Sequence, residues 1–335
     1  MGIPALTFDV QLTRPDRLVL QQLSDDMASP SATDDEPIIA KLKAVNDPSD
    51  ARFEPTVFTT YDQADTDNLP GVLHRLLSSY ITWARTACRV ETDVVFVTHL
   101  LLYFSTSIPS AILLFTRFSY LHAVFHIAMQ GYYMGPYTLL KHQHIHQRGV
   151  LARRFALIDN LFPYVMDPLM GHTWNSYYYH HVKHHHVEGN GPGDLSSTIR
   201  FQRDSLSHFL QYLGRFFFLV WLDLPQYFVR SGRTALGVKC GFWEVGSYVA
   251  LVMAFRVDAR AALFVFGLPL LFLRIALMVG NWGQHAFVDC DEPDSDYRSS
   301  VTLVDVAVSH EFFLGFSDLG SGVRVGGKGK CWNGG

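Results

Sequence analysis

The chain has 335 residues, enough for one large or two ordinary domains, with a charged fraction of only 17%, an aromatic fraction of 14% and a formal net charge of −4. This balance leaves no electrostatic footprint for nucleic acid. Its four cysteines (Cys88, Cys240, Cys290, Cys331) form neither a CxxC pair nor a disulfide-framework spacing, which fits thiols kept reduced on the cytosolic side.

The segment Met1 to Leu20 is broken by Asp9, Arg14, Asp16 and Arg17 and lacks an apolar core of signal-peptide length, so targeting is expected to come from internal membrane helices. Residues 1–70 are rich in Asp, Pro, Ser and Thr and are expected to be a largely disordered cytosolic segment. Mean hydropathy is nonetheless slightly positive, so the remainder is strongly apolar. Leu73 to Val90 has apolar residues at helical spacing with Arg75, Arg85 and Arg89 interspersed, which predicts an interfacial helix.

Val94 to Thr116 and Phe118 to Leu140 are 23 residues each without a formal charge. At 1.5 Å per residue each reaches about 34 Å, enough to cross a hydrocarbon core of roughly 30 Å with some tilt. Only Arg117 separates them, so they are predicted to form a hairpin, with Pro109 and Pro136 tolerated inside the membrane. Lys141, Arg148, Arg153, Arg154, Lys183, Arg200 and Arg203 follow the hairpin, and the positive-inside rule places that side in the cytosol. Further on, 209–229 is interrupted by Arg215 and Asp223, 241–255 by Glu244 and 261–280 by Arg274. An even number of crossings returns His285 to the cytosol, which favours spans near 241–255 and 261–280 with 207–230 in the interface. The expected fold is an all-α integral membrane protein of about four transmembrane helices plus interfacial helices and a cytosolic histidine cap. No internal repeat and no Gly-rich nucleotide loop is present.

Eight of the 16 histidines lie in two stretches, 142–146 and 180–186. His142 and His146 are spaced i, i+4 at the end of the second predicted span. His181, His184 and His185 are spaced i, i+3, i+4, and Asn281 and His285 repeat i, i+4 at the end of the last span. Residues so spaced share a helix face, so three segments offer imidazoles to one region. Neutral imidazole is a ligand for iron, copper and zinc. His144 faces away from its neighbours on a helix, His172 has no partner at helical spacing, and His180 and His186 are either supporting or solvated. His99, His122 and His126 read as packing or hydrogen-bonding residues within the spans.

The pattern His142-x-x-x-His146 followed by His181-x-x-His184-His185 resembles the first two histidine boxes of the membrane fatty acid desaturase and hydroxylase superfamily. The resemblance covers roughly residues 90–307. Asn281 and His285 resemble the Asn-x-x-x-His of acyl-CoA desaturases, where the histidine binds metal and the asparagine reaches it through water. The stretch from Gly189 to Ser197 resembles a fungal and algal branch. The resemblance implies a di-iron centre with His142, His146, His181, His184, His185 and His285 as ligands and Asn281 as a water-mediated one. It implies O₂-dependent desaturation of a lipid acyl chain, an external electron donor such as cytochrome b5 with its reductase, and residence in the endoplasmic reticulum with the boxes cytosolic.

The chain departs from the family after His285. A third HxxHH box is expected there, but His310 is the only further histidine. Residues 71–307 are therefore expected to form the desaturase-like membrane domain and 308–335 a Gly-rich tail foreign to it, of the kind that a translated intron or a frameshift gives. Without the third box, iron binding and activity are expected to be impaired. Competing readings are a lipid hydroxylase or ketolase of the same superfamily, a metal transporter with a His-rich cytosolic loop, and a non-catalytic truncated membrane protein.

Overall fold

A computed structural model describes residues 61–285 continuously, with 17–22, 24, 38–45, 47–53, 55–58 and 291 besides. The expectations for the 308–335 tail, His310 and most of the N-terminal segment lie outside the described residues. The described chain is mostly helical. It packs as two compact units that divide at Thr98/His99.

In the first unit, helix α1 (Ile38–Val45) and a two-stranded antiparallel hairpin of β1 (Thr56–Phe58) and β2 (Tyr61–Asp62) precede helix α2 (Gly71–Ala87). Helix α2 buries Ile81, Ala84 and Ala87 while Val72, Leu73, Leu76 and Trp83 stay exposed. A helix with an apolar face turned outward suits a bilayer interface. The Tyr80 hydroxyl lies 2.7 Å from Thr98 Oγ1, at the start of α3 (Val94–Thr116).

From His99 onward the chain runs along the rest of α3 into α4 (Tyr120–Gln147), α5 (Ala156–Leu169), α6 (Ser176–His180), α7 (Leu206–Arg230), α8 (Thr234–Val257) and α9 (Ala259–Gln284). Helix α6 continues without a break through a π-turn at His181–His185 into a last turn at His186–Glu188. Among the described residues, three helices are long and apolar enough to cross a membrane: Glu91–Thr116, Thr234–Val257 and Ala259–Gln284. The second expected span falls in the 28-residue helix α4, which is not one of these three. His122, His126, Gln130 and its histidine-rich end leave it less apolar than those three. Helix α7 covers the expected interfacial segment, burying Tyr212, Leu224 and Phe228 and exposing Leu210, Phe218, Trp221 and Leu222. Helix α5 buries Phe162, Met166 and Leu169 but exposes Leu157, Ile158 and Leu161.

Several polar side chains inside these apolar helices are paired, which offsets the cost of burying them in a low-dielectric setting. Ser110 Oγ of α3 lies 2.8 Å from both His122 Nε2 and His126 Nδ1 of α4. Lys141 Nζ of α4 donates to Asp167 Oδ2 of α5 at 2.8 Å, and Tyr137 donates to Asp167 Oδ1 at 2.6 Å. Arg274 of α9 donates to Glu244 Oε1 of α8 at 2.8 Å and to the Phe217 carbonyl of α7 at 3.2 Å. Glu244 Oε2 also accepts from Thr173, at 2.7 Å, and from Ser176, so the same carboxylate anchors the start of α6. Just before it, Gly171 sits at φ +85, where a Cβ would overlap the Pro269 carbonyl.

Replacing Glu244 by leucine should leave Arg274 buried without its countercharge, which costs about 3–5 kcal/mol for a broken buried pair. Denaturation of the detergent-solubilised protein should show that loss, and Glu244→Leu with Arg274→Leu should recover most of it. A Glu244→Leu variant as stable as the parent would show that the pair is not holding α8 and α9.

Candidate metal centre

The end of α4 carries the first two imidazoles. His142 and His146 are one turn apart, ring centroids separated by 4.6 Å. Directly after them Arg148 adopts a left-handed conformation, and its N–H and that of Gly149 both close on the His144 carbonyl, ending the helix. This arrangement fixes the pair at a helix end rather than on a loose loop.

The second stretch is not wound as an α-helix. In the π-turn the His186 N–H reaches back to the His181 carbonyl, an i to i+5 bond. Residues five apart therefore come into line. His181 Nε2 and His186 Nε2 are 3.1 Å apart, and the His180 and His185 rings are stacked within 5° of parallel at 6.5 Å. The α-helical spacing expected for His181, His184 and His185 is thus replaced by a wider turn.

One ligand nitrogen from each of His142, His146 and His181 lies within 4.8 Å of the others. His186 adjoins this set, its ring 4.5 Å from that of His181 and 4.9 Å from that of His146. His184 turns elsewhere: it is fully buried, and its Nε2 accepts from the Leu195 N–H at 2.8 Å with Asp194 Oδ1 at 3.4 Å. His185 Nδ1 lies 2.6 Å from Asp194 Oδ2, and its ring is 5.6 Å from that of His181 and 5.9 Å from that of His285. The chain brings His285 to this region at the end of α9, where its carbonyl accepts from Thr198 at 2.8 Å. Asn281 spends its amide on the Ser196 carbonyl at 2.9 Å and the Tyr212 hydroxyl at 2.7 Å.

His144 bonds the Asp159 carbonyl at 3.0 Å, away from the cluster. His172 is buried against Thr138, 3.3 Å from its hydroxyl. Two further residues adjoin the histidines. Tyr177 stacks on His181 at 13° and 5.1 Å, with its hydroxyl 3.4 Å from His142 Nδ1. It stands four residues before His181, which is the helical spacing that could have marked it. Asp194 lies within the glycine-rich stretch noted for its resemblance, but no spacing rule connects it to a histidine.

Burial favours the neutral form of His172, His180 and His181. His181 is held well below its ordinary value by burial first, then by His142, His186, His185 and His146 around it. Burial, with His184 and His185 beside it, pushes His180 down to about 3. Burial takes His172 down to about 4. Burial alone would raise Asp194, but the His184 and His185 rings beside it outweigh that and hold it well below the carboxylate range. Neutral imidazoles with free lone pairs and no carboxylate among the three clustered ligands fit an ion of the iron, copper or zinc group. No protein-family model matches the chain, and neither do characterised proteins or solved structures.

Since the unfolded histidines take up protons below about 6.5 and folded His180 and His172 resist them until about 3 and 4, the unfolded state binds more protons in between. Stability should therefore fall as pH drops from 7 towards 3, and this contribution should level off below that. Thermal unfolding of the metal-free protein in detergent should give a lower midpoint at pH 5 than at pH 7.5, and His180→Gln should make the drop shallower. A midpoint that does not change between the two would show that the cluster is open to water.

Proposed function

We propose that the chain is a membrane lipid oxidase of the desaturase type, whose histidines hold a di-iron centre at the cytosolic ends of its helices. The observation that carries this reading is the convergence of His142, His146 and His181 within 4.8 Å, at the end of the 28-residue helix α4. When bound, iron would supply O₂ activation and removal of hydrogen from an unactivated C–H bond. His142, His146 and His181, joined by His186, would hold one ion; His185 and His285 stand on the side where a second belongs. An imidazole shell leaves the bound charge uncompensated, which suits a centre that must act on a strong C–H bond.

In this reading α3, α4, α8 and α9 cross the bilayer, with α2, α5 and α7 in the interface. Lys141 adds little to the orientation because it is buried on Asp167. Arg148, Arg153, Arg154, Lys183, Arg200 and Arg203 remain to mark the cytosolic side. An apolar cavity of about 110 Å³, lined by His172, Trp174, Leu251, Phe266 and Leu270 among others, suits part of an acyl chain. The His172 ring there stands 5.4 Å from that of Tyr177, which links the cavity to the centre. Electrons would come from an external haem donor of the cytochrome b5 type. A metal transporter would need free polar groups along its spans, whereas His122 and His126 are already bonded to Ser110.

The test expresses the chain as it stands, and with an HxxHH box restored after residue 307, in cells supplying the electron donors. Both forms should bind iron through the first cluster, and His142→Ala with His146→Ala should lower iron content at least tenfold. The restored form should add a double bond or hydroxyl to membrane lipid acyl chains. Bound metal with unchanged lipids in both forms would overturn the oxidase reading, and metal uptake into vesicles would favour transport.

A further inference from the structure

We infer that Asp194 is a positioning residue that sets the tautomer of His185, so that Nδ1 carries the proton and Nε2 keeps the lone pair for a metal ion. This inference rests on the metal-centre reading. After the π-turn, Gly189 and Asn190 both take left-handed conformations, at φ 52 and φ 57, and turn the chain back over the histidines. That return places Asp194 beside His184 and His185, with its side chain entirely buried.

The loop supplies the carboxylate with donors. Oδ1 accepts from the Ser196 N–H at 2.8 Å and the Ser196 hydroxyl at 2.7 Å, and Oδ2 from the Asn190 N–H at 3.3 Å. Each of these three groups donates, so the carboxylate is held as an acceptor. The 2.6 Å contact from His185 Nδ1 to Oδ2 then requires the proton to sit on Nδ1. Neutral imidazole has one N–H and one lone pair, which leaves Nε2 as the ligand nitrogen. The ring is flanked by His181 at 5.6 Å and His285 at 5.9 Å, which puts it beside the clustered histidines. Ser196 holds Asp194 by two bonds, and the Ser196 carbonyl accepts from Asn281. A single loop thus connects the π-turn to the end of α9.

A carboxylate behind a ligand histidine fixes its orientation and makes it a better donor, and its loss typically costs 10–100-fold in metal affinity. The test is a double-mutant comparison by Co(II) competition titration of the detergent-solubilised full chain. Asp194→Asn should weaken Co(II) binding about 10-fold or more. His185→Gln should weaken it too, and adding Asp194→Asn to His185→Gln should change it less than about twofold, because the carboxylate acts through that ring. If Asp194→Asn does not fold, Asp194→Glu, which keeps the charge and moves the oxygens, replaces it in the same comparison. Equal losses from the Asp194 change in both backgrounds would overturn the positioning role and leave Asp194 as a loop anchor. A parent chain that binds no Co(II) would overturn the metal reading and this inference with it.

Discussion

Bringing several imidazoles into contact away from water is possible only if they stay uncharged, and the rest of the site is arranged around that constraint. A protonated ring in the cluster would repel its neighbours in a medium that screens little. Burial removes this conflict by making the charged form costly, as the lowered values of His180 and His181 show. The result is a group of lone pairs that cannot be satisfied by one another alone. His181 Nε2 and His186 Nε2, at 3.1 Å, can share at most one proton between them in the neutral state. A cation is a natural partner for such a set, and the nitrogens of His142, His146 and His181 are close enough together to hold one.

The same accounting explains how the site is held. A histidine cluster at helix ends would drift if its helices could slide, and apolar helices in a bilayer have little hydrophobic reason to hold register. Buried polar contacts supply it. Lys141–Asp167 lies next to His142 in sequence and ties α4 to α5. Glu244 ties α8 and α9 together and also holds Thr173 and Ser176 at the start of α6. The Ser110 contacts do the same for α3 and α4 at the other end. Glu244 and Arg274 looked like interruptions in apolar stretches, and each sits where two elements must keep a fixed height relative to one another.

Much of the architecture was legible because helix length and apolar content are local properties. Helix α3 follows directly from its run of uncharged residues, α8 and α9 from apolar stretches interrupted by Glu244 and Arg274, and α7 from its mixed one. The second expected span was less clear-cut because His122, His126 and Gln130 lower the apolar content of α4, and a count of formal charges does not register neutral histidines. The histidine pair His142 and His146 was readable from i, i+4 spacing, since α4 keeps regular winding to its end. Asp194 was not readable: its link to His185 depends on two successive left-handed residues turning the loop back, and on a distance of nine positions that no periodicity marks.

The second histidine stretch shows most clearly where spacing arguments run out. Applied to an α-helix, the pattern groups His181 with His184 and His185, but the observed turn is wider and groups His181 with His186 and His180 with His185. One extra residue per turn rotates every side chain beyond it, so His184 swings to the Leu195 N–H and leaves the cluster. A run of His-His-Val-Lys-His-His-His tolerates this because five of its seven positions carry an imidazole, and either winding still puts two or more toward the end of α4. The redundancy makes the location of the centre insensitive to the winding. The identity of the ligands, by contrast, is set by the backbone and by which ring the Asp194 loop claims.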